Sequence, residues 1–143
     1  MAKSFAATIG KWASKSEERI TAVRRRSVEL LGEEMTRTKP QGGRVPFKTG
    51  NLARSILAST NGMPTTAEGP YPGSNVGVVA ATLRNDQPLW IGYQAKYARR
   101  RNYGFVGADS LGRVYNESGD YFVEGAIAEW PQIVARAVAE LRR

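Results

Sequence analysis

Apolar side chains recur at helical spacing through the first third of the chain. Stepping by 3.6 residues from Phe5, the stripe falls on Phe5, Ile9, Trp12, Ser16, Ile20, Val23, Ser27, Leu30 and Leu31, with Met35 just beyond. Ser4 stands where an N-cap accepts a backbone N–H. The spacing predicts one helix over residues 1–36, and roughly 30 helical residues extend about 45 Å. Such a rod outruns a compact domain of this size, so part of it is expected to project or to lie against another subunit. The alternative is a break near Ser14 to Ser16 that leaves two core helices. Arg24, Arg25, Arg26, Glu17, Glu18, Glu33 and Glu34 fall mainly outside the stripe.

Pro40, Gly42, Gly43 and Pro46 then exclude regular structure. Thr49 is placed to cap a short second helix over residues 49–58, with Leu52, Ile56 and Leu57 on one face. Residues 61–75 are rich in proline and glycine and form a first long loop, a length that is usually functional or disordered. Two β-branched or aromatic runs, VGVVAATL at 76–83 and LWIGYQA at 89–95, flank Asn85, Asp86 and Pro88; they predict a hairpin over 76–97. Residues 102–120 carry Gly104, Gly107, Gly112 and Gly119 among Asn, Asp and Ser, a second long loop. A C-terminal helix over 122–143 begins at Phe122. Pro131 suits a first turn, and Ile133, Val134, Ala137, Val138 and Leu141 form an apolar face. The fold expected is α+β in a single domain spanning 1–143: long N-terminal helix, short second helix, a small antiparallel sheet built on a hairpin, C-terminal helix and two long loops. Two strands alone are marginal in water, so further strands or a neighbour are expected to complete the sheet.

Composition narrows the chemistry. The 143 residues include no cysteine and no histidine, which excludes disulfides, thiolate sites, the commonest zinc ligand and the commonest general base. A serine nucleophile has no histidine to activate it, and the glycines lack the strand-to-helix setting of a phosphate-binding loop. No catalytic residue, cofactor site or metal site is therefore assigned, and the chain is expected not to be an enzyme. Asp109, Glu117 and Asp120 lack calcium-loop spacing and are expected to be solvated loop charges. Trp12, Trp90 and Trp130 are expected to share one core. No apolar run approaches the roughly 18–20 residues of a membrane span. FAATIG, residues 5–10, is too short for a signal-peptide core, so a soluble, unexported chain is expected.

Lys plus Arg is 21 against 13 acidic residues, a net charge of +8. The excess is spread along the chain without a basic tail. Its densest point is Arg99, Arg100 and Arg101, bracketed by Tyr97 and Tyr103. Guanidinium groups bind phosphate or an acidic partner, and flanking aromatics stack on bases. Equally, such charges guard a strand edge against pairing.

Between Pro46 and Ile56 the chain reads Pro-Phe-Lys-Thr-Gly-Asn-Leu-Ala-Arg-Ser-Ile, and Tyr97, Ala98 and Gly104 follow later at a second fixed spacing. On these residues, on Phe122 through Ala126, and on the order of elements, the sequence resembles the small head–tail joining proteins of long-tailed bacteriophages, called neck, tail-completion or minor tail proteins. The chain departs from that family beside Gly104: Asn102 replaces a frequent glutamate, and arginines replace aliphatics next to it. The resemblance implies a structural virion subunit that forms a ring between the DNA-filled head and the tail tube. It implies Thr49, Gly50, Asn51, Leu52, Ile56, Tyr97, Ala98, Gly104 and Phe122 as structural or interaction residues, with Arg99, Arg100 and Arg101 meeting phosphate or an acidic partner. The partners implied are further copies of the chain, with a hexamer favoured over a dodecamer, and neighbouring connector and tail-tube proteins. DNA would be met only in passage, and no membrane is implied. The location implied is the virion neck or tail, assembled in the host bacterium's cytoplasm, and residues 61–75 or 102–120 are expected to reach a neighbouring ring. The rival readings are a basic nucleic-acid-binding protein and a tail-tube or tail-tip subunit.

Overall fold

The structure, a computed structural model, describes residues 4–142; the expected helical positions 1–3 and 143 lie outside them. Helix α1 (Phe5–Thr36) runs 32 residues without the alternative break near Ser14. Ser4 caps it, its Oγ accepting from the Ala7 N–H at 3.1 Å. A 3-10 turn at Lys39–Gln41 follows. Then come α2 (Asn51–Arg54), β1 (Ile56–Ser59), α3 (Val76–Ala81), β2 (Trp90–Tyr93), α4 (Ala98–Tyr103), β3 (Gly104–Ala108), β4 (Val114–Ser118), α5 (Phe122–Ala128) and α6 (Trp130–Leu141). The class is α+β, with two separate antiparallel two-stranded sheets among the described residues.

Only the second half of α1 builds the core. Leu30 clusters with Ile133 and Ala137, and Arg26 Nε meets Glu140 at 2.7 Å, so α6 lies antiparallel along it. Helix α3 packs there too: Val76 and Ala80, one turn apart, join Val28 and Met35 in a second cluster. Arginines outside the apolar stripe fasten the joint. Arg24 donates to the carbonyls of Arg84 and Gln87, both at 2.7 Å, and Arg25 Nε donates to Leu83 O at 2.9 Å. These carbonyls belong to the turn that follows α3, so the arginines fasten that turn to α1.

That packing corrects two expectations. The hairpin over 76–97 does not form, because its first run is α3. Burial of Val76 and Ala80 on α1 overrides the β preference of their β-branched neighbours. Strand β2 pairs instead with β1, from Ile56↔Tyr93 to Ser59↔Trp90. The helix expected over 49–58 accordingly stops at Arg54. Asn75, just before α3, stands in for a further strand: its side-chain amide accepts from Ala58 N at 2.7 Å and donates to Ala58 O at 3.0 Å. Residues 61–75 form the expected loop, tied to the sheet where Ala67 N donates to Gln94 O at 3.0 Å and closed on itself where Tyr71 Oη donates to Ala67 O at 2.7 Å.

Residues 102–120, unlike 61–75, are not one long loop. They hold the β3–β4 hairpin, paired from Gly104↔Ser118 to Ala108↔Val114. The Asp109 carboxylate closes its turn, accepting from the Leu111 and Arg113 N–H groups at 2.9 Å each. Gly112 takes a φ of 78° there, which a side chain would resist. The helix expected over 122–143 is two, α5 and α6, meeting at Glu129, with Pro131 in the first turn of α6.

A further cluster joins Val45, Leu52, Ala95, Ala98 and Phe122. Tyr93 links it to the α1–α3 cluster: its hydroxyl donates to Met35 O at 2.6 Å, and its ring meets Phe122 edge-on at 5.1 Å. Burial pushes the Tyr93 hydroxyl pKa up. The three tryptophans share no core, since Trp12 and Trp130 are exposed and Trp90 is half-buried.

Two substitutions test this packing. An added Cβ at Gly32 would sit 2.6 Å from Val76 Cγ1, so Gly32→Ala is expected to lower the urea midpoint. The clash, typically about 1–3 kcal/mol, outweighs the helix preference for alanine. Ser27 is buried and its hydroxyl has no hydrogen-bond partner among the described residues, so Ser27→Ala should raise stability by about 1 kcal/mol in the same measurement.

Candidate functional site

The segment from Pro46 to Ile56 forms a corner. Gly50 opens α2 at a φ of 81°, and a Cβ there would meet Arg54 Nη1 at 2.6 Å and the Phe47 ring at 3.1 Å, so both backbone and space call for glycine. Thr49, expected as N-cap, stands one residue outside that role, although its Oγ1 accepts from Asn51 N at 3.4 Å. Arg54 Nη2 ties the corner shut by donating to Asn51 Oδ1 at 2.6 Å and Thr49 O at 3.0 Å. Leu52 and Ile56 are buried in two different clusters, so they anchor the corner rather than face a partner. Ala98 and Phe122 are buried beside Leu52. Gly104 sits where α4 becomes β3, with a φ of 84° and space for a Cβ only 2.4 Å from Glu117 O.

The three arginines lie on helix α4, not on a strand edge. Arg100 stacks over the rings of Phe105 and Tyr115, at 4.3 and 4.8 Å, and grips Glu117 with Nε and Nη2 at 2.8 and 2.7 Å. Arg101 Nη2 lies 3.2 Å from Asp120 Oδ2, a charge contact without hydrogen-bond alignment, and Lys39 pairs with Oδ1 of the same carboxylate. Asp109 pairs with Arg113. The three carboxylates expected to be free loop charges are therefore partners of this cluster and of its hairpin. Arg99 is exposed and makes no ion pair among the described residues. Asn102 has a clear role: buried, it donates to Glu124 Oε2 at 2.8 Å and accepts from Val123 N at 3.0 Å, fixing the start of α5.

Two surfaces emerge. One is a groove of about 860 Å³ that brings the 46–52 corner against Tyr97, Arg100 and Arg101. Phe47 and Tyr97, 55% and 44% exposed, present apolar faces to it, and Lys48 and Glu117 also line it. Of these, Phe47 and Lys48 stand within the 46–56 segment and Glu117 among the loop carboxylates, but nothing in the sequence gives the three a shared site. The other surface is the first half of α1. Residues 5–20 are almost wholly exposed, including Phe5 at 81%, Trp12 at 69% and Ile20 at 60%. Among the described residues no cluster of metal-ligating side chains occurs, and no helix is long and apolar enough to cross a membrane. Comparison of the chain with protein-family models, curated proteins and solved structures finds no match.

The hydrogen bonds from Arg100 hold the Glu117 carboxyl below the usual carboxylate range; desolvation opposes them, and the charges of Arg100 and Arg101 assist. A carboxyl lowered on folding contributes stability that is complete above its unfolded pKa and is lost as pH falls through the folded one. Native chain should therefore lose stability on acidification below the ordinary carboxylate pKa more steeply than Glu117→Gln, compared by urea midpoints across that range.

Proposed function

We propose that the chain is a structural virion subunit of a tailed bacteriophage, forming a ring at the head–tail junction that joins the head connector to the tail tube and lets DNA pass. The observation that carries this reading is the uncovered half of α1. Its 16 residues from 5 to 20 extend about 24 Å, with Phe5, Ile9, Trp12 and Ile20 all exposed. An apolar stripe that long on a subunit surface marks an interaction site. The same stripe is covered from Val23 onward by α6, and a groove of about 610 Å³ opens where α6 ends, between Glu18 to Val23 and Val138 to Arg142.

Magnitudes favour a closed assembly over a loose pair. Each large side chain gains roughly 1.5–3 kcal/mol on full burial, while association costs about 4–15 kcal/mol. One arm contact is thus marginal. In a ring every copy meets two neighbours through a heterologous contact that closes on itself. A sixfold ring is the first choice and a twelvefold ring the second. The exposed margins of the β3–β4 hairpin add surface for neighbours. Neutralisation of Arg100 and Arg101 by Glu117 and Asp120 fits a duplex that passes without being gripped. That pairing also weighs against a dedicated nucleic-acid-binding protein.

Negative-stain microscopy and light-scattering mass test the reading together. Native chain should give annular particles, and Trp12→Glu should give folded single copies that keep a cooperative urea transition. Native chain that remains a single copy at every concentration tested would overturn it. So would tight duplex binding that falls steeply with salt, which belongs to the nucleic-acid reading.

A further inference from the structure

We propose that the groove beside the 46–52 corner is a docking site for an acidic peptide segment of a partner protein, one carrying a large apolar side chain. The assignment stands on the groove itself, whether or not the chain forms a ring. At about 860 Å³ it lies within the roughly 300–1,000 Å³ of sites that enclose a ligand. Its apolar surface comes from Phe47 and Tyr97, with buried Leu52 beneath. Aromatic faces that remain this exposed in a concave site supply the central anchor of a typical interface.

Charge selects the occupant. Four cations line the groove, Lys39, Lys48, Arg100 and Arg101, and two carboxylates answer them. Glu117 takes Arg100, while Asp120 is shared by Lys39 and Arg101. Lys48 has no ion pair among the described residues. The groove therefore keeps a positive excess in a concave, partly desolvated setting, where it steers and selects negative partners. A second copy of the chain does not complement it. Each copy carries a net charge of +8, so one copy is repelled on the whole from the positive groove of another. A nucleic-acid strand fits less well than a peptide, since it needs an unbroken positive track and Glu117 interrupts this one. A peptide places carboxylates only where its sequence puts them, opposite Lys48 and the Lys39–Arg101 side.

The test uses the full chain and three probes. These are a fluorescein-labelled peptide of Asp and Glu interspersed with Phe and Pro, its analogue with Asn and Gln for the acids, and an oligothymidylate of equal charge. Fluorescence anisotropy should show the acidic peptide binding about tenfold or more tighter than its amide analogue. Lys48→Glu and Tyr97→Ala should each weaken it by about tenfold. Arg19→Glu, on the arm, should leave it unchanged. Amide shifts in heteronuclear spectra should cluster at residues 46–52 and 97–101. The proposal is overturned by equal binding of the amide analogue, by an unaffected Lys48→Glu, or by shifts centred elsewhere. Displacement of the peptide by less oligothymidylate than unlabelled peptide would also overturn it and assign the groove to nucleic acid. These outcomes are read as affinity per chain, so they stay distinct from the presence or absence of annular particles.

Discussion

Desolvation of one stripe on α1, from Val23 to Met35, holds the other elements in place. Helix α6 covers it through Ile133 and Ala137, and α3 covers the adjoining face through Val76 and Ala80. Arg24, Arg25 and Arg26 line the edges of that contact, bonding to carbonyls past α3 and to Glu140 on α6. The sheets cannot serve this purpose. Each has two strands, and an isolated pair of that size is marginal in water. Strand β1 persists because Ile56 and Ala58 reach the α1 cluster and because Asn75 satisfies its outer backbone at Ala58. Gly32 sets the approach, since only a missing side chain lets Val76 come so near the helix.

What was legible in the sequence follows from length. Helices α1 and α6 repeat their apolar face over several turns, so periodicity, Ser4 and Pro131 identify them. Strand β1 is four residues long, and Leu52, Ile56 and Leu57 fit a helical face as well as they fit a turn followed by a strand. VGVVAATL has the composition of a strand; its helical state comes from the notch at Gly32, which lies far away in sequence. The β3–β4 hairpin was hidden by its glycines, although Asp109 through Gly112 carries the residues of a tight turn between two alternating runs.

The groove was half legible. The 46–56 segment and Tyr97 each stand out, yet nothing local says that they adjoin across some fifty intervening residues. The arginine cluster shows the same limit. Its charge is plain in the sequence, but its partners Glu117 and Asp120 lie on the far side of a hairpin, and pairing changes what the cluster can do. Three guanidiniums in a row suggest a phosphate grip. With two of them held by carboxylates, and one of those stacked on two rings, they act mainly as a clamp between α4 and the hairpin.

Two halves of α1 live under different rules. From Thr21 the helix packs against its neighbours, whereas residues 5–20 are almost wholly exposed behind their Ser4 cap. Most helical stability in proteins comes from packing of an amphipathic face against its neighbours. The first turns of α1 therefore have the least packing to hold them, and a neighbour seated against the stripe would keep them wound. In the ring proposed above, part of the binding energy would go into keeping those turns wound, so the joint would reach full strength only with every neighbour in place.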